Sequence, residues 1–316
     1  MLTEISRRSF LRSAFTAATA ATIAPRLFAQ AAAPTDRVAA AREGAKTTPI
    51  KVTKLYDNVY LLQGAGGNMV AQTGPEGDLL IDASFSTAVP HIKEALAGLS
   101  KDAPDVLINT HWHFDHTDGN EGLHAAGFKI IAHQKTRERL ATPQVVKMLG
   151  ITMPASPAGA LPTLTFDRSL HAWHNGDSLD LVHFEPAHTD TDIYIHFHKA
   201  DVLHLGDTWF NGFYPFIDES SGGSIGGMIR ANKHALEIAS SSTKIIPGHG
   251  PLGDKAGLQK FHDMLSDIRE KVAQLKSSGL SEADAVAKKP TASYDEQWGH
   301  GMLNPDQFAG LVYRTI

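Results

Sequence analysis

The sequence predicts an α+β protein in which two β-sheets pack face to face and helices cover their outer surfaces. Residues 50–108 contain short strand-like runs with glycine-rich turns between them, then a helix and a further strand. A break rich in proline and glycine follows at residues 150–162. After this break a similar order of elements returns without any repeat of the sequence itself. Two halves with similar elements suit a sandwich of two sheets.

The first half is predicted to begin with short antiparallel strands, because apolar runs alternate with Asp-Asn and glycine turns. A helix is predicted at 89–99, where apolar residues have helical spacing and Pro90 stands in a tolerated first-turn position. The other predicted elements of this half are strands at 51–54, 59–63, 68–72, 78–81, 106–108 and 129–132, and helices at 121–126 and 134–148.

The second half is predicted from the same patterns. Its strands are expected at 170–173, 178–184, 193–197, 202–205 and 244–246. A helix is predicted at 226–239, a long amphipathic helix at 258–276, and shorter helices up to the C-terminus.

The first 31 residues have the features of an export signal. Arg7 and Arg8 form a twin-arginine pattern, which an Ala/Thr-rich run and a small-residue site near Ala31 follow. A membrane span is a poor alternative, because the apolar run is too short for a bilayer and Arg12 interrupts it. We therefore expect the twin-arginine export machinery as a partner and a periplasmic or secreted mature protein without a membrane span. Residues 32–48 lack a hydrophobic period and are predicted to be a linker, which leaves 49–316 as the folded domain.

The composition is that of a globular protein and narrows the possible functions. Hydrophobic residues make up 42% of the 316 residues and charged residues 20%, which excludes a mainly disordered chain. The absence of cysteine excludes disulfides, thiolate metal sites and a cysteine nucleophile. Removal of the predicted signal would change the formal net charge from −5 to about −8. An acidic protein of this kind is not expected to bind nucleic acid or anionic membranes.

Residues 109–120 contain the most concentrated set of metal-binding side chains in the sequence. His111, His113, Asp115 and His116 follow the apolar run 106–108, which reads as a buried strand. Alternate side chains of an extended segment point to one face, and the following turn can bring the last two donors from another side. Imidazole nitrogens with a carboxylate oxygen are the ligands that zinc and similar metals prefer. A His-rich polar loop without a metal is the alternative, but such dense packing of donors is uncommon.

Three later loops also follow apolar strand-like runs, and each supplies a possible ligand. These ligands are His188, Asp207 in a Gly-Asp pair, and His249 in a Pro-Gly-His-Gly turn. Donors at the ends of several strands can converge at one edge of a sandwich, where a rigid scaffold carries functional loops. The remaining twelve histidines of the seventeen are expected to be surface or packed residues.

The order of these motifs resembles the metallo-β-lactamase superfamily over roughly residues 50–255. The resemblance rests on the pattern His-x-His-x-Asp-His at 111–116, followed by His188, the Gly206-Asp207 pair and the turn around His249. It implies an αββα four-layer sandwich, with two sheets flanked by helices and the metals at one edge.

Carried over to the matching positions, the resemblance implies two metal ions per chain, most simply Zn²⁺, with iron or manganese as alternatives. The implied ligands are His111, His113 and His188 for the first metal, Asp115, His116 and His249 for the second, and Asp207 as the bridge. Five histidines and two aspartates are too many for one tetrahedral zinc. A metal pair can hold a hydroxide as nucleophile at neutral pH, and Asp115 would also orient it as a catalytic residue.

The segment after Asp207 is rich in aromatic residues and is the candidate substrate pocket. Trp209, Phe210, Phe213 and Tyr214 are the candidate substrate-binding residues, although the same pattern also suits core residues beneath a loop. Lactamases of the family that use a cysteine at the second metal differ from this chain, which has Asp207 there. The cationic residue that these lactamases place shortly afterwards has no counterpart before Arg230.

We expect an exported dinuclear zinc hydrolase that opens a cyclic amide or ester, with β-lactams as the lead substrate class and a small molecule as partner. A glyoxalase II-like thioesterase or a lactonase is the alternative, because a bridging aspartate is more similar to those enzymes. A mononuclear iron persulfide dioxygenase and a non-catalytic zinc-binding protein also stay open. Flavodiiron oxidoreductases share the scaffold, but His113 argues against them.

Overall fold

A computed structural model of the protein describes residues 34–316. The predicted export signal at 1–31 lies outside the described residues. The helices are α1 Pro34–Ala45, α2 Val89–Leu99, α3 Phe114–Thr117, α4 Asn120–Ala125, α5 Gln134–Leu140, α6 Ile225–Ile238, α7 Lys255–Ser277, α8 Glu282–Ala287, α9 Asp295–Trp298 and α10 Pro305–Thr315. The strands of the first part are β1 Lys51–Lys54, β2 Val59–Gln63, β3 Met69–Gln72, β4 Asp78–Ile81, β5 Pro104–Ile108, β6 Lys129–His133, β7 Gln144–Val146, β8 Ile151–Met153 and β9 Leu164–Phe166. Those of the second part are β10 Ser169–His174, β11 Asp177–His183, β12 Ile193–Phe197, β13 Val202–His204 and β14 Lys244–Ile246.

The strands form two main sheets, as the sequence predicts. The first sheet has the order β1-β2-β3-β4-β5-β6-β9, antiparallel as far as β4 and parallel from there on. The second has the order β10-β11-β12-β13-β14, and only its last pair of strands is parallel. Parallel neighbours need a crossover connection, and α2 and α6 supply two of these. The small hairpin β7-β8 stands apart from both sheets.

The two-residue period of the strands divides their side chains between separate layers of core. Leu61 and Ile81 of the first sheet pack with Ile195 of the second, and these residues belong to the cluster between the sheets. Their chain neighbours Leu62 and Leu80 point to the other side and pack with α2. The outer face of the second sheet packs against α6, α7 and α10. The αββα sandwich predicted from the sequence is therefore confirmed.

The prediction of a linker at 32–48 is wrong for residues 34–45, which form α1. Val38, Ala41 and Ala45 lie on one face of this helix at spacings of three and four residues. Val38 belongs to the same core cluster as the hairpin residues Val146 and Ile151, whereas Ala45 is fully buried in the cluster around α2. The contacting face consists mainly of alanine, so the hydrophobic pattern was too weak to indicate a helix.

The predicted helix at 134–148 is also wrong beyond Leu140, where α5 ends. Pro143 follows within three residues, and proline lacks the backbone N–H and the conformational freedom that a continuing helix requires. Residues 144–153 instead form the hairpin β7-β8, so a strand already begins inside the break predicted at 150–162. Strand β9, which the sequence patterns did not predict, then joins the edge of the first sheet.

Between residues 34 and 316, no helix is both long enough and apolar enough to cross a membrane.

Candidate metal centre

Four loops meet at one edge of the sandwich, because each begins where a strand of one of the two sheets ends. The loop after β5 contains His111 and His113 and leads into α3, while the loop after β11 contains His188. Asp207 follows β13, and His249 follows β14. Sheet register therefore brings together side chains that lie up to 138 positions apart in the sequence.

The first group of possible metal ligands is fully enclosed by protein. It consists of His111, His113, His188 and Asp207, whose donor atoms all lie within 4.8 Å of one another. His188 Nε2 lies 2.8 Å from His113 Nδ1 and 3.5 Å from Asp207 Oδ2. All four residues are buried, so water cannot easily solvate their polar atoms.

The second group lies beside the first and is partly open. Asp115, His116 and His249 also have donor atoms within 4.8 Å of one another. Asp207 reaches this group too, since its Oδ1 lies 3.1 Å from His116 Nε2 and its Oδ2 lies 3.4 Å from His249 Nε2. The structure thus brings all seven predicted ligands together in two groups, with Asp207 between them.

The buried atoms of these groups fit a divalent cation better than they fit one another. His111 Nε2 is buried and has no hydrogen-bond partner among the described residues, and an unpaired buried polar atom is costly. His113 and His188 point ring nitrogens at each other, an arrangement that a shared cation would stabilise. Histidine nitrogen and carboxylate oxygen are the ligands preferred by zinc and related metals.

The electrostatics of the centre favour the protonation states that metal ligands need. Burial, together with the nearby His116, lowers the pKa of His111 well below its usual range, so its imidazole is neutral. Burial alone would raise the pKa of Asp207, but the surrounding histidines outweigh it and hold this pKa well below its usual range. For His249 burial lowers the pKa, yet Asp207 and Asp115 prevail and raise it to about 10. The two open-side groups therefore attract each other strongly without a metal.

Hydrogen bonds from outside the two groups fix which nitrogen of each histidine points inward. Asp82 Oδ2 lies 2.7 Å from His116 Nδ1, and Asp218 Oδ2 lies 3.1 Å from His113 Nε2. The backbone carbonyl of Phe216 lies 2.7 Å from His188 Nδ1. Partners of this kind orient metal-binding imidazoles and set their tautomers.

Sequence reasoning missed three of the aspartates that support the centre. Asp82 directly follows β4 at the same edge of the sheet, which is the only local signal for its role. Asp218 ends the aromatic segment, and Asp192 accepts hydrogen bonds from the backbone N–H groups of His188 and Thr189. Burial raises the pKa of Asp192 to about 7, although these hydrogen bonds oppose the shift.

Backbone conformation at the site is specialised in two places. Asp82 has a positive φ of 63°, which is uncommon for a residue other than glycine and indicates local strain. Gly248 lets the turn before His249 approach Asp207 closely, because a Cβ atom at this position would overlap the Asp207 carboxylate. Asn68 holds the same turn through its backbone N–H, 2.7 Å from the Gly248 carbonyl.

The four predicted substrate-binding aromatics divide into two pairs. Phe210 and Phe213 line a cavity in front of the centre, and the ring of Phe210 stacks on that of His249 at 5.4 Å. The prediction is wrong for Trp209 and Tyr214, which are fully buried. Trp209 packs beneath the chain at Gly253, while Tyr214 stacks on Phe308 and donates a hydrogen bond to Asp295. The core beneath the loop takes these two side chains.

The cavity has a volume of about 200 Å³ and joins both donor groups. His113, Asp115, Asp207 and His249 form its polar end. The other lining side chains are apolar, and no lysine or arginine lines it within residues 34–316. Such a cavity can bind a small molecule beside the metal ligands.

Comparisons with known proteins agree with this geometry. The family described as the metallo-beta-lactamase superfamily matches residues 52–258. No curated protein matches the sequence. A metallo-beta-lactamase from Pontibacter korlensis has a similar solved structure, with a TM-score of 0.57 and 17% identity over 69% of this chain and 99% of that chain.

Two further solved structures illustrate the range of similar proteins. DIM-1 metallo-beta-lactamase has a TM-score of 0.54 and 18% identity over 69% of this chain and 97% of that one. The stereoselective inverting sec-alkylsulfatase Pisa1 from Pseudomonas sp. has a TM-score of 0.65 and 16% identity over 84% of this chain. This chain spans about half (50%) of the length of the sulfatase. At such identities the similarity demonstrates a shared fold.

Proposed function

Because the chain belongs to the metallo-β-lactamase superfamily, we propose that it is an exported dinuclear zinc hydrolase that opens a cyclic amide or ester. The superfamily consists mostly of metallo-hydrolases. The proposed export depends on the twin-arginine pattern at Arg7 and Arg8, which would take the folded protein to the periplasm or the medium.

One observation carries the proposal: two groups of donors share Asp207 and open onto one cavity. The proposed ligand set is His111, His113 and His188 for one ion, Asp115, His116 and His249 for the other, with Asp207 serving both. Seven donors exceed the four that a single tetrahedral zinc takes, whereas they suit two ions. A pair of bound zinc ions would supply Lewis acidity and a nucleophilic water at neutral pH.

The residues of the chain have separate tasks in this proposal. Asp115 is partly exposed to the cavity and lies 3.2 Å from His249 Nε2, so its carboxylate can orient the attacking water by accepting a hydrogen bond. Phe210 covers the ring of His249 and limits the access of bulk water on that side. Asp82 and Asp218 hold His116 and His113 in position through hydrogen bonds.

β-Lactams are the lead substrate class, in keeping with the family to which the chain belongs. Lactones and thioesters form the second candidate class, and a specific observation favours them. Most β-lactam antibiotics carry a carboxylate, yet the described lining of the cavity offers it no lysine or arginine. A neutral lactone or thioester needs no such partner.

Metal analysis of the purified protein, combined with a hydrolysis panel, tests the proposed function. The panel contains a chromogenic cephalosporin, a lactone, a glutathione thioester, a phosphodiester and a secondary alkyl sulfate. We expect two zinc ions per chain and turnover of at least one amide or ester. The variant Asp207→Asn should lose both metal and turnover, whereas His198→Ala, on the exposed surface of the second sheet, serves as the matched control.

Several outcomes would contradict the proposal. A single iron per chain, with oxygen uptake and no hydrolysis, would indicate a persulfide dioxygenase. Bound zinc without turnover of any member of the panel would favour a non-catalytic zinc-binding protein.

A further inference from the structure

The cavity in front of the metal centre changes from polar to apolar over its length. Its polar end is formed by the proposed ligands, and the rest of its lining belongs to separate segments of the chain. Among these apolar side chains are Ala41, Phe85, Val146, Leu149, Phe213 and Met302. A substrate whose reacting group lies at the ligands would therefore place any further part of itself against carbon atoms.

Helix α1 forms one wall of this cavity through Ala41. The helix spans two regions of the domain, because Val38 belongs to the core cluster of the hairpin β7-β8 and Ala45 to the cluster of α2. The same hairpin supplies Val146 to the cavity. Both the helix and the hairpin next to it thus face the space in front of the ligands.

Arg42 holds this wall against the loop that carries the ligands. Its guanidinium donates hydrogen bonds to both carboxylate oxygens of Asp118, with 2.9 Å between Nε and Oδ2. Asp118 stands two positions after His116 and also accepts a hydrogen bond from the backbone N–H of Ser86. The Thr87 hydroxyl donates to the backbone carbonyl of Arg42. A bidentate ion pair of this kind fixes orientation as well as distance.

The charges near the cavity favour an uncharged occupant. The carboxylates of Asp115 and Asp207 lie at its polar end, and no lysine or arginine lines the remainder within the described chain. Arg42 is itself paired with Asp118 and is not among the lining residues. An anionic group in the apolar part would lose its hydration without gaining a partner.

We propose that α1, anchored by Arg42, forms the wall of a binding site for an apolar acyl or alkyl chain, and that the substrate is an uncharged lactone or ester bearing such a chain. This inference rests on the proposed hydrolase function and narrows its substrate class. In the reaction one water is consumed: its oxygen bonds to the acyl carbon, the ring C–O bond breaks, and the leaving oxygen takes a proton from the water. The apolar chain contributes by leaving water, which is worth about a fourfold gain in binding for each buried methylene.

A pair of lactones that differ only in their chain tests the proposal. We expect the purified protein to hydrolyse γ-decalactone with a kcat/KM at least tenfold above that for γ-butyrolactone, and above that for a carboxylate-bearing chromogenic cephalosporin. Binding is measured separately by calorimetry with two stable amides. N-hexylacetamide should bind, and N-methylacetamide should bind at least tenfold more weakly.

Variants of α1 test the role of the wall. Arg42→Ala should raise the KM for γ-decalactone three- to tenfold and lower the ratio of the two kcat/KM values, because the helix loses its anchor. Ala41→Trp should lower the same ratio by filling the cavity, with the ion pair of Arg42 left in place. Arg37→Ala, which changes an exposed arginine of the same helix, is the matched control and should keep the wild-type ratio.

The outcomes separate this inference from the proposed function. Hydrolysis with equal preference for the two lactones, or faster hydrolysis of the cephalosporin, would overturn the inference and leave the hydrolase proposal standing. Binding of N-hexylacetamide that Arg42→Ala weakens, without hydrolysis of any compound, would support the chain-binding site and contradict the hydrolase. Neither binding nor hydrolysis would overturn both.

Discussion

The substitution Asp82→Asn tests how the chain holds His116 in the orientation that a metal ligand needs. The Asp82 carboxylate is fully buried. It accepts hydrogen bonds from the backbone N–H of Thr110 at 2.8 Å and from the Thr110 hydroxyl at 2.8 Å, and its Oδ2 lies 2.7 Å from His116 Nδ1. An ionised carboxylate accepts only, so His116 carries its proton on Nδ1 and presents a free Nε2 to the centre.

An asparagine at this position leaves a donor where a carboxylate oxygen was. With its carbonyl oxygen kept on the Thr110 N–H, the amide NH₂ group faces Nδ1 of His116 and reverses the favoured tautomer. A hydrogen bond to a charged group contributes about 1.5–3 kcal/mol. The loss of such a bond corresponds to roughly 10- to 100-fold weaker metal binding, and we expect this for the ion held by His116.

Competition with a chromogenic chelator, in protein first stripped of metal, measures this affinity. Asp180→Asn is the matched control, because Asp180 also contacts two histidines, His171 and His198, but lies on the exposed face of a sheet. The control should bind metal like the wild type. A metal affinity of Asp82→Asn within twofold of the wild type would refute the reasoning that Asp82 sets the tautomer of His116.

Four further predictions concern catalysis, the core, pH and export. Asp115→Ala should remove most of kcat while the first metal stays bound, as followed by steady-state kinetics and metal analysis; full activity would exclude the proposed role. Trp209→Ala should lower the free energy of unfolding by about 3–5 kcal/mol in urea melts, and a loss below about 1 kcal/mol would show that Trp209 is not a core residue. Burial raises the pKa of Asp78 to about 6, above its value in the unfolded chain, so the folded state binds the extra proton and the wild type loses stability as pH rises from about 4 to about 6; the melting temperature of Asp78→Asn relative to the wild type should therefore increase over this range, and a constant difference would contradict the shift. Replacement of Arg7 and Arg8 by lysine should keep the precursor in the cytoplasm in cell fractionation, whereas unchanged export would contradict the twin-arginine signal.

Patterns that are local in the chain predicted most of the secondary structure and the residues of the centre. Strand β2 and strand β12 have apolar runs whose form does not depend on distant contacts, and the structure places both strands where the patterns indicated. The stretch from His111 to His116 is equally local, since four donors within six residues are visible without any fold. The later donors could be assigned only through their order along the chain.

Features that depend on tertiary contacts were predicted incorrectly or not at all. Helix α1 has a contact face made mainly of alanine, and only packing against two distant core clusters shows that this face is buried. Asp82 and Asp218 stand 34 and 105 positions from the histidines they support, so no sequence spacing connects them. The same is true of Arg42 and Asp118, which are 76 positions apart.

The sequence by itself determined the two-sheet architecture, the family and the set of donors, because strand periodicity and dense ligand motifs are properties of short stretches of chain. Only the tertiary structure decided which neighbours among the aromatics face the cavity. Trp209 and Phe210 are adjacent, yet the first is packed in the core and the second covers His249. Their direction depends on the backbone path after Asp207 and on the space left by the helices beneath it, and neither is encoded in residue type. The physical reason is that hydrophobicity drives a side chain out of water but does not select which apolar surface it will meet.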